Sequence, residues 1–221
     1  RQIMTPFPFM TYDDAMNRFG KDAPDTRFGL ELSDCTDIFR GSQFKVFTSA
    51  LERGGIIKAI VVEDDGKLSR KMIDDYTEYV KIFGAGGLPM FRFRDGSFEQ
   101  GIAKFISDDE KARLVQVLGL SKTALVFFAC DRPKIVFDTL GNLRIKMARD
   151  LGLIDETKLN FLWVVDFPLL EFDEDEKRFQ AMNHPFTAPK AEHVAMFDNL
   201  TQRLGRVDIG GHFSLLAEEG R

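Results

Sequence analysis

Only two cysteines, one tryptophan, three tyrosines and three histidines occur among the 221 residues, and each shortage narrows what the chain can be. Cys35 and Cys130 lie far apart and outside any C-x-x-C pair, so the sequence offers neither a disulfide framework nor a cysteine metal site. Both read as small apolar core residues. His184 and His193 stand nine apart, which does not place two ligands on one helical face, and no metal site is expected. No apolar run approaches the eighteen or more residues of a membrane helix, and the first twenty residues lack the basic-then-apolar order of a signal peptide. No membrane partner and a cytoplasmic location are therefore expected. A phosphate-binding G-x-x-x-x-G-K-[ST] loop, an H-E-x-x-H pair and a Ser/His/Asp arrangement are all missing from the sequence. Cationic charge is in deficit as well, with 30 basic against 35 acidic residues and a net charge of -5. As a whole the chain repels phosphate backbones, so a nucleic-acid contact needs a local basic patch or the rest of a larger protein. Arg144, Lys146 and Arg149 are candidates for such a patch, and a solvated helix face explains them equally well.

What is present is ample for a core. Hydrophobic residues make up 44% and charged residues 29%, which supports one or two folded domains. Thr11 can cap a helix over 12–19, with Asp13 and Asp14 in its first turn and Gly20 as its stop. Alternation predicts a strand over 28–32, and the β-rich runs 44–50 and 56–62 predict a hairpin across Arg53-Gly-Gly55. Ser69 is the cap of a helix over 70–83, whose Met72, Ile73, Tyr76, Val80 and Phe83 share one face before Gly84 ends it. A strand over 88–93, a turn at Asp95-Gly96 and a pairing run over 101–106 follow. Ser107-Asp-Asp-Glu110 has the spacing of a capping box that opens a helix to Leu118. Residues 123–130 read as a strand covered on both faces. Pro133 then suits the first turn of a helix with Val136, Leu140, Leu143, Met147 and Leu151 on one face and Gly152 as its stop. The pattern over 44–151 is α+β, a two-layer sandwich of helices on a sheet, and the 22 phenylalanines are spaced for core packing.

After Asp155 the texture changes. Phe161-Leu-Trp-Val-Val-Asp-Phe-Pro-Leu-Leu170 is a continuous apolar run ending in Asp and Pro. Ala181-Met-Asn-His-Pro-Phe-Thr-Ala-Pro-Lys190 sets Asn183, His184 and Thr187 between apolar neighbours, a pattern that aims polar groups from a sheet into a cleft. The acidic link Glu171-Phe-Asp-Glu-Asp-Glu-Lys177 reads as a solvated hairpin loop, so 161–169 and 178–187 are expected to pair antiparallel.

These two runs resemble the catalytic domain of bacterial-type aspartyl-tRNA synthetases, in which a W-V-V-D-F-P-L strand precedes one carrying H-H-P-F-T-A-P. Two further blocks are similar in the same order: Thr5-Pro-Phe-Pro-Phe-Met-Thr-Tyr-Asp-Asp-Ala-Met16 and Lys21-Asp-Ala-Pro-Asp-Thr-Arg-Phe-Gly-Leu-Glu-Leu32. The resemblance covers roughly residues 5–198. It implies that 1–32 and 159–198 are parts of a class II catalytic domain built on an antiparallel sheet, and that 33–158 are the GAD insertion domain. Residues 199–221 align with nothing in the family and stay unassigned. One departure stands out, because the first of the family's two adjacent histidines is Asn183 here.

The resemblance also implies chemistry. Such an enzyme joins the α-carboxylate of aspartate to the α-phosphate of ATP, bound with Mg, and passes the aspartyl group to tRNA; positioning and charge neutralisation carry the catalysis. The paired histidines sit at the amino-acid end of the pocket, so Asn183 and His184 are the implied aspartate-binding positions. Asn183 can donate or accept a hydrogen bond but cannot become cationic. The family's two arginine motifs for ATP, of F-R-D-E and G-L-D-R type, are not found; Arg92-Phe-Arg-Asp-Gly96 reads as strand and turn. The chain is therefore expected to be a fragment, with no catalytic residue and no bound cofactor of its own, of a parent ligase that acts on tRNA, aspartate and ATP as a homodimer. Two other readings remain open: the B subunit of a tRNA-dependent amidotransferase, which shares the GAD-type domain but should lack the W-V-V-D-F-P strand, and a non-catalytic binding module.

Overall fold

In the computed structural model, residues 5–64, 66–168, 170–173, 176–181, 188–189 and 216–218 are described, and they divide into two compact units. The first is Ala15–Asn160; the second joins residues 5–14 to the described residues from Phe161 onward.

The first unit is built on a five-stranded sheet. Its strands are β2 (Leu32–Asp34), β3 (Ile56–Glu63), β4 (Met90–Arg94), β5 (Ser97–Glu99) and β6 (Ala124–Asp131), in the order β2-β3-β6-β4-β5 with every neighbour antiparallel. The long strands β3 and β6 pair over eight residues and form its centre. Successive side chains on a strand point to opposite faces, and both faces are apolar. Ile60, Val62, Leu125 and Phe127 face one way, toward α3 (Arg70–Val80) and α5 (Pro133–Asp150). Ile57, Ala59, Val126 and Phe128 face the other, toward α2 (Lys45–Glu52) and α4 (Asp108–Leu118). The α+β class and the antiparallel sheet are those expected. A second helical layer is added to the two expected, because β6 is apolar at every position from Ala124 to Ala129 and needs cover on each side.

Local signals explain most elements. Ser69 accepts a hydrogen bond from the Met72 N–H, and Gly84 closes the following turn at φ +86°. Ser107 and Glu110 form both halves of the capping box. Pro133 opens α5, whose Val136, Leu140, Leu143 and Met147 are fully buried. Cys35 is buried and Cys130 half-buried, and burial pushes their thiols up to about 12 and about 11.

Three expectations for this unit are corrected. Residues 44–50 form helix α2 instead of a strand: Phe47 packs on Phe39 and Phe128 at 4.6 and 5.6 Å between ring centres, and that burial overrides local β-propensity. Arg53-Gly-Gly55 accordingly links helix to strand. The partner of β4 is β5 at Ser97–Glu99, while 101–106 turn away through a 3-10 helix over Ala103–Phe105. Finally, β2 begins only at Leu32, because Leu30 adopts a left-handed backbone at φ +60° that ends any extended run over 28–32.

In the second unit, β7 (Trp163–Val165) pairs in parallel with β1 (Phe9–Thr11). β9 (Leu170–Asp173) and β10 (Arg178–Ala181) form an antiparallel hairpin. Helix α1 (Tyr12–Phe19) starts under a Thr11 cap, whose hydroxyl accepts from the Asp14 N–H at 3.1 Å. The expected single strand over 161–169 is instead broken at Asp166, which lies at φ +61° between β7 and β8 (Phe167–Pro168). Thus the antiparallel pair is made by β9 and β10, and β7 takes a different neighbour.

Candidate functional site

Two regions carry chemistry, and each belongs to one unit. In the second unit the ribbon sets Trp163 opposite Phe9, Val164 opposite Met10 and Val165 opposite Thr11. Ring contacts fasten the flanks: Phe7 to Phe161 at 5.5 Å and Tyr12 to Phe167 at 5.2 Å. Trp163 is 51% exposed and Phe9 72%. Asp166, singled out at the end of the apolar run, supplies the bend; Asp tolerates the left-handed region better than most residues. Beyond the bend the register is Leu170 with Ala181, Glu171 with Gln180, Phe172 with Phe179 and Asp173 with Arg178. Of the acidic link, residues 171–173 lie in β9 instead of a loop, and Glu176 and Lys177 form a turn before β10, with Lys177 left-handed and Arg178 ion-paired to Glu176. Strand β10 ends at Ala181, two residues before Asn183. Asn183, His184 and Thr187 lie outside the described residues.

In the first unit the dominant electrostatic feature is Arg144. It is 1% exposed, on the inner face of α5, and its guanidinium donates to the carbonyls of Asp25, Phe28, Gly29 and Leu30 at 2.9–3.2 Å. Phe28 and Phe19 lie against it at 4.0 and 4.8 Å. Burial draws its pKa down to about 10, so it stays cationic at neutral pH. This removes Arg144 both from a basic patch and from a solvated helix face. Arg144 is spent on loop carbonyls, and Lys146 pairs with Asp150 at 2.9 Å beside Tyr76 and Tyr79. Its place four residues after Leu140 and three before Met147 already marks Arg144 as facing the core. The same loop is tied by Arg27, which donates to Asp25 at 2.8 and 3.0 Å and to Glu156 at 2.9 Å. The Arg27 hydrogen bond holds the Asp25 carboxyl below its usual range.

Next to this loop lies a cleft of about 620 Å³. Its walls are Phe28 to Leu30, the end of β3 at Val61 to Glu63, Lys67 and Leu68, the 118–122 link, and Leu151 with Leu153. Lys122 at its rim pairs with Glu63 at 2.9 Å. No local sequence signal marks this cleft, which lies where β2 covers only part of β3.

Comparison with known proteins complements the geometry. Residues 47–140, all within the first unit, match the GAD domain family. The aspartate-tRNA ligase of Halalkalibacterium halodurans is 51% identical over 197 residues, 89% of this chain and 33% of that protein. The aspartate-tRNA(Asp/Asn) ligase of Desulfatibacillum aliphaticivorans is 46% identical over 200 residues, 90% of this chain and 34% of its own length. That of Staphylococcus epidermidis, an aspartate-tRNA ligase, is 49% identical over 197 residues, 89% of this chain and 34% of its own. The chain thus spans about a third of the length of these relatives. It carries a match to the GAD domain and, over about nine-tenths of its own length, is similar to a stretch that makes up about a third of each of these aspartate-tRNA ligases.

Proposed function

We propose that this chain is the part of a class II aspartate-tRNA ligase in which the GAD insertion, 33–158, interrupts the catalytic domain, 1–32 and 159–198. The observation that carries this reading is identity of about half over 197 residues to proteins named for that activity. The whole ligase would activate aspartate with ATP and Mg, transfer it to tRNA, and work as a homodimer in the cytoplasm.

Within that reaction the chain supplies the amino-acid end of the pocket. Aspartate brings two carboxylates and an ammonium into a site from which water is displaced, so each needs a fixed partner. The Asn183 amide and the His184 imidazole are the polar groups that β10 leads toward, and each can donate to a carboxylate oxygen. Asn183 binds as a neutral donor, which leaves charge neutralisation to His184 and to residues elsewhere in the ligase. The chain alone lacks both arginine motifs for ATP and does not activate aspartate by itself.

The test is a chimera. Residues 5–198 replace the matching third of the H. halodurans ligase, and aspartate-dependent ATP-pyrophosphate exchange is measured. Exchange in the chimera, and none with the 221-residue chain alone, is the expected result. A folded chimera without exchange, or exchange by the chain alone, overturns the reading.

A further inference from the structure

Asp166 holds a left-handed backbone, φ +61°, in the middle of an apolar run. The other non-glycine residues with positive φ, among those described, are Leu30, Asp95, Gln100 and Lys177. Each of them has a local cause. Asp95 and Lys177 turn the chain between the paired strands β4 and β5, and β9 and β10. Gln100 begins the turn that leaves β5, and Leu30 lies in the loop held by Arg144. Asp166 turns no hairpin, since β7 and β8 on either side of it are not paired with each other.

Its two neighbours are nevertheless fixed. Val165 is in register with Thr11, and the ring of Phe167 lies 5.2 Å from that of Tyr12. Consecutive residues of one segment thus anchor the chain on both sides of the bend. A left-handed residue with a side chain persists only where its surroundings over-determine it, and such residues gather at functional sites.

The bend also has a direction. β7 runs beside β1, β9 begins four residues after Asp166 and runs beside β10, and no bridge joins these two pairs among the described residues. Leu170 is in register with Ala181, the last residue of β10 and the second before Asn183. The course taken at Asp166 is therefore passed through the hairpin to the strand that leads to Asn183 and His184.

We propose that Asp166 is a positioning residue of the aspartate subsite, whose left-handed backbone, and not its charge, sets the line of the β9–β10 hairpin. This rests on the ligase reading above. Asp and Asn enter the left-handed region more readily than other residues with a side chain, glycine enters it freely, and a β-branched residue there is an outlier. Function should follow that order and ignore charge.

The test is steady-state kinetics of the chimeric ligase with Asp166 replaced by Asn, Gly, Ala or Val. Asp166→Asn and Asp166→Gly should keep KM for aspartate within about twofold, Asp166→Val should raise it about tenfold or more, and Asp166→Ala should fall between. KM for ATP should stay within about twofold throughout, and because KM does not depend on the amount of folded enzyme, a partly unfolded Val variant is still informative. Asn and Gly variants as impaired as Val would give the role to the carboxylate and overturn the proposal. So would an unchanged KM for aspartate in both the Ala and Val variants, or a parallel rise for ATP. An unsubstituted chimera without exchange overturns the ligase reading and this proposal with it, whereas an active chimera with any of the contrary patterns overturns this proposal alone.

Discussion

Gly20 and Gly141 meet backbone against backbone: a Cβ on Gly141 would stand 2.4 Å from the Gly20 carbonyl oxygen, and one on Gly20 would stand 2.7 Å from that of Phe137. Glycine inside a helix such as α5 costs about 1 kcal/mol relative to alanine, so Gly141 is kept for this approach and not for the helix.

Gly141→Ala should therefore destabilise the first unit by about 2 kcal/mol in spite of its better helix propensity, because backbone atoms cannot give way as a side chain can. Gly86→Ala, where nothing lies within 4 Å of the added carbon, should stay within about 0.5 kcal/mol of the parent. Urea denaturation of both variants checks the pair. A Gly141→Ala chain as stable as the parent would remove the close contact.

Arg144→Met should cost about 3 kcal/mol in the same assay, since it strands four loop carbonyls inside the unit and removes the cation from Phe28. Arg144→Lys restores the charge but not the fork of donors, and should recover less than half of the loss. If methionine is neutral, the loop is held by other contacts.

The Asp25 carboxyl has a folded pKa below its unfolded value, about 3.9, through its hydrogen bond with Arg27. Its contribution is thus present in full above about pH 4 and is lost as the pH falls through the folded value. Asp25→Asn should lower stability at pH 7 by about 1 kcal/mol and narrow its difference from the parent at pH 3. A difference that grows on acidification would contradict the assignment.

How much of this was legible in the sequence varied with the physics that fixed each element. The helices α3, α4 and α5 were readable because their ends are set locally, by Ser69, by Ser107 with Glu110, and by Pro133. Helix α2 was not, since Phe44, Val46 and Phe47 favour a strand by themselves, and only the packing of Phe47 on Phe39 and Phe128 decides otherwise. The break at Asp166 was hidden in an apolar run that looks continuous, because periodicity does not report a single left-handed residue. The run at 161–170 and the Asn183-His184 pair were legible as motifs, and the strand leading to that pair is placed as far as Ala181. Arg144 was misjudged because its charge suggested a surface role, although its position on the apolar face of α5 did not.

The aspartate subsite is tested most directly by kinetics of the chimeric ligase carrying Asn183→Ala or His184→Ala. Each variant should raise KM for aspartate by roughly tenfold or more, the loss of a hydrogen bond to a charged group, and leave KM for ATP within about twofold. Unchanged KM for aspartate in both variants, or a parallel rise for ATP, would contradict the claim that this chain holds the amino-acid end of the pocket.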